Sequence, residues 1–87
     1  MTAPATNAAV LALRALAATL SDERLAQRFL SLSGIDPPEL RQRAADPDVL
    51  VALLRFLEDH EPDLLSIAEA ITVEPRVLVG ARHELER

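Results

Sequence analysis

Eighty-seven residues with a hydrophobic content of 49% make one domain, near the lower size at which a chain buries enough apolar surface to be stable alone. The sequence has no cysteine, which excludes disulfides and thiolate metal sites, and its formal charge of −5 opposes non-specific attraction to nucleic acid or anionic lipid. All nine basic residues are arginine, whose planar guanidinium suits partly buried ion pairs better than lysine does.

In chain order, residues 1–6 read as a short disordered lead-in, with residues 7–87 forming a single helical domain. No targeting segment is visible, and the apolar run from Ala8 to Leu20 is interrupted by Arg14 and too short to span a membrane. A soluble cytoplasmic protein with no membrane partner is expected. The first helix is predicted from about Asn7 to Leu20, capped by Asn7 or Thr6. Val10, Leu13, Leu16 or Ala17, and Leu20 form its expected stripe, which Leu11 and Ala15 widen, and only Arg14 and Thr19 clearly want water.

Ser21 is the expected cap of a second helix that begins with Asp22 and Glu23 and buries Leu25, Phe29 and Leu32. Gly34 ends it, because a left-handed residue is least strained as glycine. Asp36, a proline in the first turn and Glu39 then start a third helix, which turns Leu40 and Ala44 inward and ends near Ala45.

Asp46, Pro47 and Asp48 start the fourth helix, which is apolar from Val49 to Leu57 except at Arg55. Such a helix must sit centrally, covered on nearly all sides. A polar corner from Glu58 to Asp63 follows, and Pro62 opens a fifth helix with Leu64, Ile67, Ala68 and Ile71 on one face. A tight turn over Thr72, Val73 and Glu74 leads to Pro75 and a sixth helix with Leu78, Ala81 and Leu85 inward. Gly80 lies inside that last helix, where it costs about 1 kcal/mol relative to alanine unless close packing requires it.

The segments from Leu25 to Leu40 and from Asp63 to Leu78 share one plan: Ile35 falls on Val73, Asp36 on Glu74, Pro37 on Pro75 and Leu40 on Leu78, a constant offset of 38. Each is preceded by a long apolar helix. The expected fold is all-α, six short helices in an oblique bundle around a buried central helix, arranged as two pseudo-symmetric three-helix units over about 7–45 and 46–86.

The apolar first helix, the run from Phe29 to Arg41 (FLSLSGIDPPELR), the stretch from Ala44 to Pro47 and the turn around Val73, Glu74 and Pro75 together resemble a family of short bacterial proteins known as domain of unknown function 3572. The resemblance covers roughly Ala8 to Arg82 and departs at Thr72, where the first turn has Gly34. It implies an all-helical fold and an alphaproteobacterial source, and it implies no activity.

A second, local resemblance competes with it. The stretch from Ile67 to Leu78, with Ala81 beyond, is similar to a DNA-binding helix-turn-helix, with small Ala68 where two helices touch and Ile67, Ile71, Val73 and Leu78 between them. Its outward positions offer few base-reading donors, so Arg76, Arg82 and Arg41 would have to carry the nucleic acid contacts, against the acidic balance of the chain.

Chemistry is sparse elsewhere. Glu58, Asp59, His60, Glu61 and Asp63 could gather oxygen ligands or pair a carboxylate with an imidazole, but they lack the ligand spacing and glycine of a calcium loop and read as a solvated corner. His60 and His83 stand far apart, Ser31 and Ser33 have no nucleophile-elbow pattern, and Phe29 and Phe56 sit in apolar stripes. Arg24, Arg28, Arg41 and Arg43 are expected to pair locally with Asp22, Glu23 and Glu39. No catalytic residue, cofactor or metal site is expected. The function expected is a non-enzymatic interaction or self-association module with a protein partner or a second copy, using Val10, Leu11, Leu13 and Leu16 as its face. A helix-turn-helix regulator is the alternative.

Overall fold

A computed structural model describes residues 7–87, so the expected lead-in and Thr6 as a cap lie outside the described residues. Among them the chain forms α1 (Asn7–Leu20), α2 (Glu23–Ser33), α3 (Pro37–Arg43), α4 (Pro47–Glu58), α5 (Glu61–Ala70) and α6 (Pro75–Leu85), with no strand.

Short acidic side chains set the middle helix starts. Asp36 accepts the amide of Glu39 at 3.1 Å and Asp46 that of Asp48 at 2.9 Å, and a proline follows each in the first turn. At α2 the cap is Asp22 rather than Ser21, accepting from the amides of Arg24 and Leu25 at 3.0 and 3.2 Å. Ser21 is already engaged: its hydroxyl donates back to the Ala17 carbonyl at 2.9 Å, so the next short acceptor takes the cap. His60 and Glu74 precede α5 and α6 without a side-chain cap bond; α5 starts at Glu61, one residue before the expected Pro62, and α6 at Pro75.

α1, α4 and α6 pack pairwise to form the centre of the bundle, with α2 and α5 against them. α4 is as buried as its composition demands: Val49, Leu50, Leu53, Leu54 and Leu57 are all shielded from solvent. α5 buries the expected Leu64, Ile67, Ala68 and Ile71, and α6 buries Leu78 and Ala81 with Leu85 partly covered. Phe29 meets Phe56 edge to face, with ring centroids 5.4 Å apart and planes at 62°.

Two apolar faces differ from expectation. α1 turns Ala8, Ala12, Ala15, Leu16 and Thr19 into the core, whereas Val10 and Leu20 are exposed and Leu11 and Leu13 flank the buried line. An alanine line lets neighbouring helices approach closely, and the larger side chains then pack around its edges. Thr19 is fully buried because its hydroxyl is satisfied within the helix, donating to the Ala15 carbonyl at 2.8 Å. On α2, Leu32 is 75% exposed. The covered arc there runs through Leu25, Ala26, Phe29, Leu30 and Ser33, and at about 100° per residue Leu32 falls about 20° beyond Leu25, at the arc's edge and roughly a quarter turn from its centre.

The repeat extends to backbone geometry. Gly34 and Thr72, separated by the same offset of 38, are the two residues with positive φ among the described residues, at 73° and 61°. The helices that follow these two turns differ in depth. α6 is wedged against α1 and α4, while α3 ends at Arg43, earlier than expected, and reaches the core through buried Leu40 with Ala44 partly covered.

Candidate interaction surface

The shallow seating of α3 opens a groove. Leu16 and Leu20 at the end of α1, Leu30 of α2, and Pro37, Leu40 and Ala44 of the α3 segment line an apolar depression of about 420 Å³, with Arg41 as its single charged side chain. Local sequence explains why the groove exists. Gly34 turns the chain sharply after α2, its amide donating to the Leu30 carbonyl at 3.0 Å, and Asp36 with two prolines restarts the helix at once. α3 is thereby held too short and too far out to cover Leu20 and Leu30.

Of the four residues expected to form an α1 face, only Val10, at 43%, is exposed; Leu11 and Leu13 are partly covered, and Leu16 is a core residue that also floors the groove.

The arginines divide into engaged and free. Arg82 is clamped by Glu58, at 2.5 and 3.0 Å, and by Glu86, which also takes Arg55 at 2.5 Å. These carboxylates, Glu58 first, hold the Arg82 guanidinium above its already high ordinary range, and Arg55 and then Arg82 hold the Glu86 carboxyl below the usual carboxylate range. Arg76 is exposed and pairs with Glu74 at 2.8 Å. Arg43 bridges Glu39 and Asp46, as local spacing predicts, whereas Arg28 reaches across to Asp63 at 2.9 Å while lying 5.3 Å over the Phe56 ring. Arg14 donates to the Ile71 carbonyl at 2.6 Å. Arg24 and Arg41 have no ion pair among the described residues, contrary to the local pairing expected of them. That was readable in part: neither has an acidic residue three or four positions away, as Arg43 does.

The polar corner disperses. Glu58 faces Arg82, His60 Nδ1 lies 2.9 Å from the same Asp63 oxygen that Arg28 uses, and Asp59 and Glu61 are exposed. Among the described residues no group of three or more His, Cys, Asp or Glu side chains could hold a metal ion. Ser33 serves the end of α2, its hydroxyl accepting from the Ile35 amide at 3.2 Å.

In the α5–α6 pair that carries the helix-turn-helix resemblance, Ile67, Ala68, Ile71 and Leu78 are buried. Its second helix is held on two sides by α1 and α4, and two of the three arginines expected to contact DNA, Arg76 and Arg82, are already paired.

A family model described as a protein of unknown function, DUF3572, matches residues 5–87, which takes in the groove, the arginine clamp and both left-handed turns. The chain belongs to the DUF3572 family. No curated protein and no solved structure matches it. Membership brings no activity with it. No described helix of this family member is long and apolar enough to cross a membrane.

Leu20, Leu30, Pro37, Leu40 and Ala44 were not legible as one surface. Each is accounted for by its own helix or turn, and only the outward placement of α3 brings them together.

Proposed function

We propose that this chain is a non-catalytic protein-binding module, with the groove between α1, α2 and α3 as its binding surface. The observation that carries the reading is an apolar groove whose one cation, Arg41, has no ion pair among the described residues. Apolar lining supplies area to bury, and an unpaired guanidinium at the edge selects a partner that presents a carboxylate beside its apolar side chains. No reaction is assigned to it: Asp22, Asp36 and Asp46 serve helix starts, and Glu58, Asp63 and Glu86 are held in ion pairs.

A photo-crosslinking residue placed at Leu20 in living cells tests the groove, with one at exposed Glu84 as the control. Discrete protein adducts at position Leu20 and not at Glu84 are expected. Equal labelling at both positions, or none at either, would sink the reading.

The second reading, a helix-turn-helix regulator, is favoured by the α5–Thr72–α6 geometry alone. It requires salt-sensitive duplex binding that Arg76→Ala weakens, and no binding to mixed duplex at low salt removes it.

A further inference from the structure

The protein's own surface offers an occupant for this groove. α5 exposes Glu61, Leu65 and Glu69 as a stripe at i, i+4 and i+8, about a quarter to a third of a turn from the centre of its buried face of Leu64, Ile67 and Ala68. Leu65 is 48% exposed, and neither glutamate has an ion pair among the described residues. An apolar anchor between two free carboxylates is the complement of an apolar groove with one free guanidinium.

We propose that the groove of one copy receives the α5 stripe of a second copy, with Leu65 entering beside Leu20, Leu30 and Leu40 and with Arg41 pairing to Glu61 or Glu69. The inference rests on the groove being a binding surface and adds the identity of what fills it. Because groove and stripe are different patches, the contact is head-to-tail rather than self-complementary. Charge works in both directions. The net −5 repels two copies at long range, while the local pairing of Arg41 with a glutamate selects orientation at contact. One leucine anchor supports weak, concentration-dependent association rather than an obligate dimer.

Sedimentation velocity over protein concentrations up to about 1 mM tests this, because so weak a contact populates only at high concentration. The wild-type chain should sediment faster as concentration rises. Arg41→Glu, which removes the groove cation, and Leu65→Arg, which removes the anchor, should each weaken association on the order of tenfold or more. Both positions are exposed, and circular dichroism verifies that the fold is retained.

The deciding measurement is the mixture. Arg41→Glu keeps an intact stripe and Leu65→Arg keeps an intact groove, so the two together should recover association with one wild-type contact between them. A wild-type chain that stays monomeric, variants that associate as well as wild type, or a mixture as inert as its components would overturn the proposal. Adducts at Leu20 with a different protein, beside a monomeric wild type, would overturn self-recognition and leave the groove reading standing; no adducts and no association would remove both.

Discussion

Thr72 holds, in the α5–α6 turn, the left-handed backbone that Gly34 holds in the α2–α3 turn, at φ 61° against 73°. The two turns close differently. The Gly34 amide donates to the Leu30 carbonyl alone, whereas the Thr72 and Val73 amides donate to the carbonyls of Glu69 and Ala68 at 3.1 and 2.9 Å. The second pattern satisfies two orphan carbonyls at the end of α5 and carries Val73 against the core, which holds a β-branched residue where glycine is usual.

Thr72→Gly should therefore stabilise the fold by about 0.5–1 kcal/mol, the left-handed strain relieved less the entropy that glycine adds to the unfolded chain. Gly34→Ala should destabilise it by about 1 kcal/mol, although open space surrounds the added carbon. Urea unfolding followed by far-UV circular dichroism measures both, since the chain has neither tryptophan nor tyrosine to report by fluorescence. A destabilising Thr72→Gly would mean that the threonine side chain does more than tolerate the turn.

Gly80 sits inside α6 with nothing within 4 Å of a Cβ built on it, so close helix packing does not explain it. Gly80→Ala should raise stability by about 0.5–1 kcal/mol through helix propensity and a less flexible unfolded chain. A loss of stability in the same urea series would show that the site is crowded.

Leu57 and Leu32 are both leucines on apolar-patterned helices, yet one is 0% and the other 75% exposed. Leu57→Ala should cost about 2–5 kcal/mol, the range for a buried leucine that leaves a cavity, and Leu32→Ala less than about 0.5 kcal/mol. Comparable losses at the two sites would contradict the exposure of Leu32.

Glu86 accepts from Arg55 and Arg82, which hold its carboxyl below the ordinary glutamate value of 4.5. A carboxyl depressed on folding contributes stability that is fully present above its unfolded value and is lost as pH falls through the folded one. Wild type should thus be more stable than Glu86→Gln above the ordinary glutamate value of 4.5, and the difference should shrink as pH falls below that value and the native carboxyl is protonated. A pH-independent gap between their unfolding midpoints would show that the lost contact, rather than ionisation, sets the effect.

Most helix starts and ends, though not the Asp22 cap of α2 or the early end of α3, and the inward faces of α4, α5 and α6 were legible because their causes act within a few residues. Asp36 and Asp46 meet amides two or three positions on, Gly34 relieves strain in its own backbone, and an apolar run such as Val49 to Leu57 has no polar face to turn outward. The repeat was legible for the same reason, since it is one local plan written twice.

Long-range choices were not. α1 is so apolar that periodicity alone does not distinguish its alanine line from its leucine line, and neighbouring helices chose the alanines for close approach. The pairings of Arg82 with Glu58, Arg28 with Asp63 and Arg14 with the Ile71 carbonyl span 24, 35 and 57 residues, well beyond helical spacing. The groove belongs to the same class: its residues obey their local rules, and its shape comes from where α3 settles after Gly34. By itself the sequence determined the helices, their caps and the apolar character of the chain, through forces that act between near neighbours. Tertiary structure alone decided which apolar residues face water, which arginines remain unpaired and where the apolar groove opens, because those depend on how distant helices share one small core.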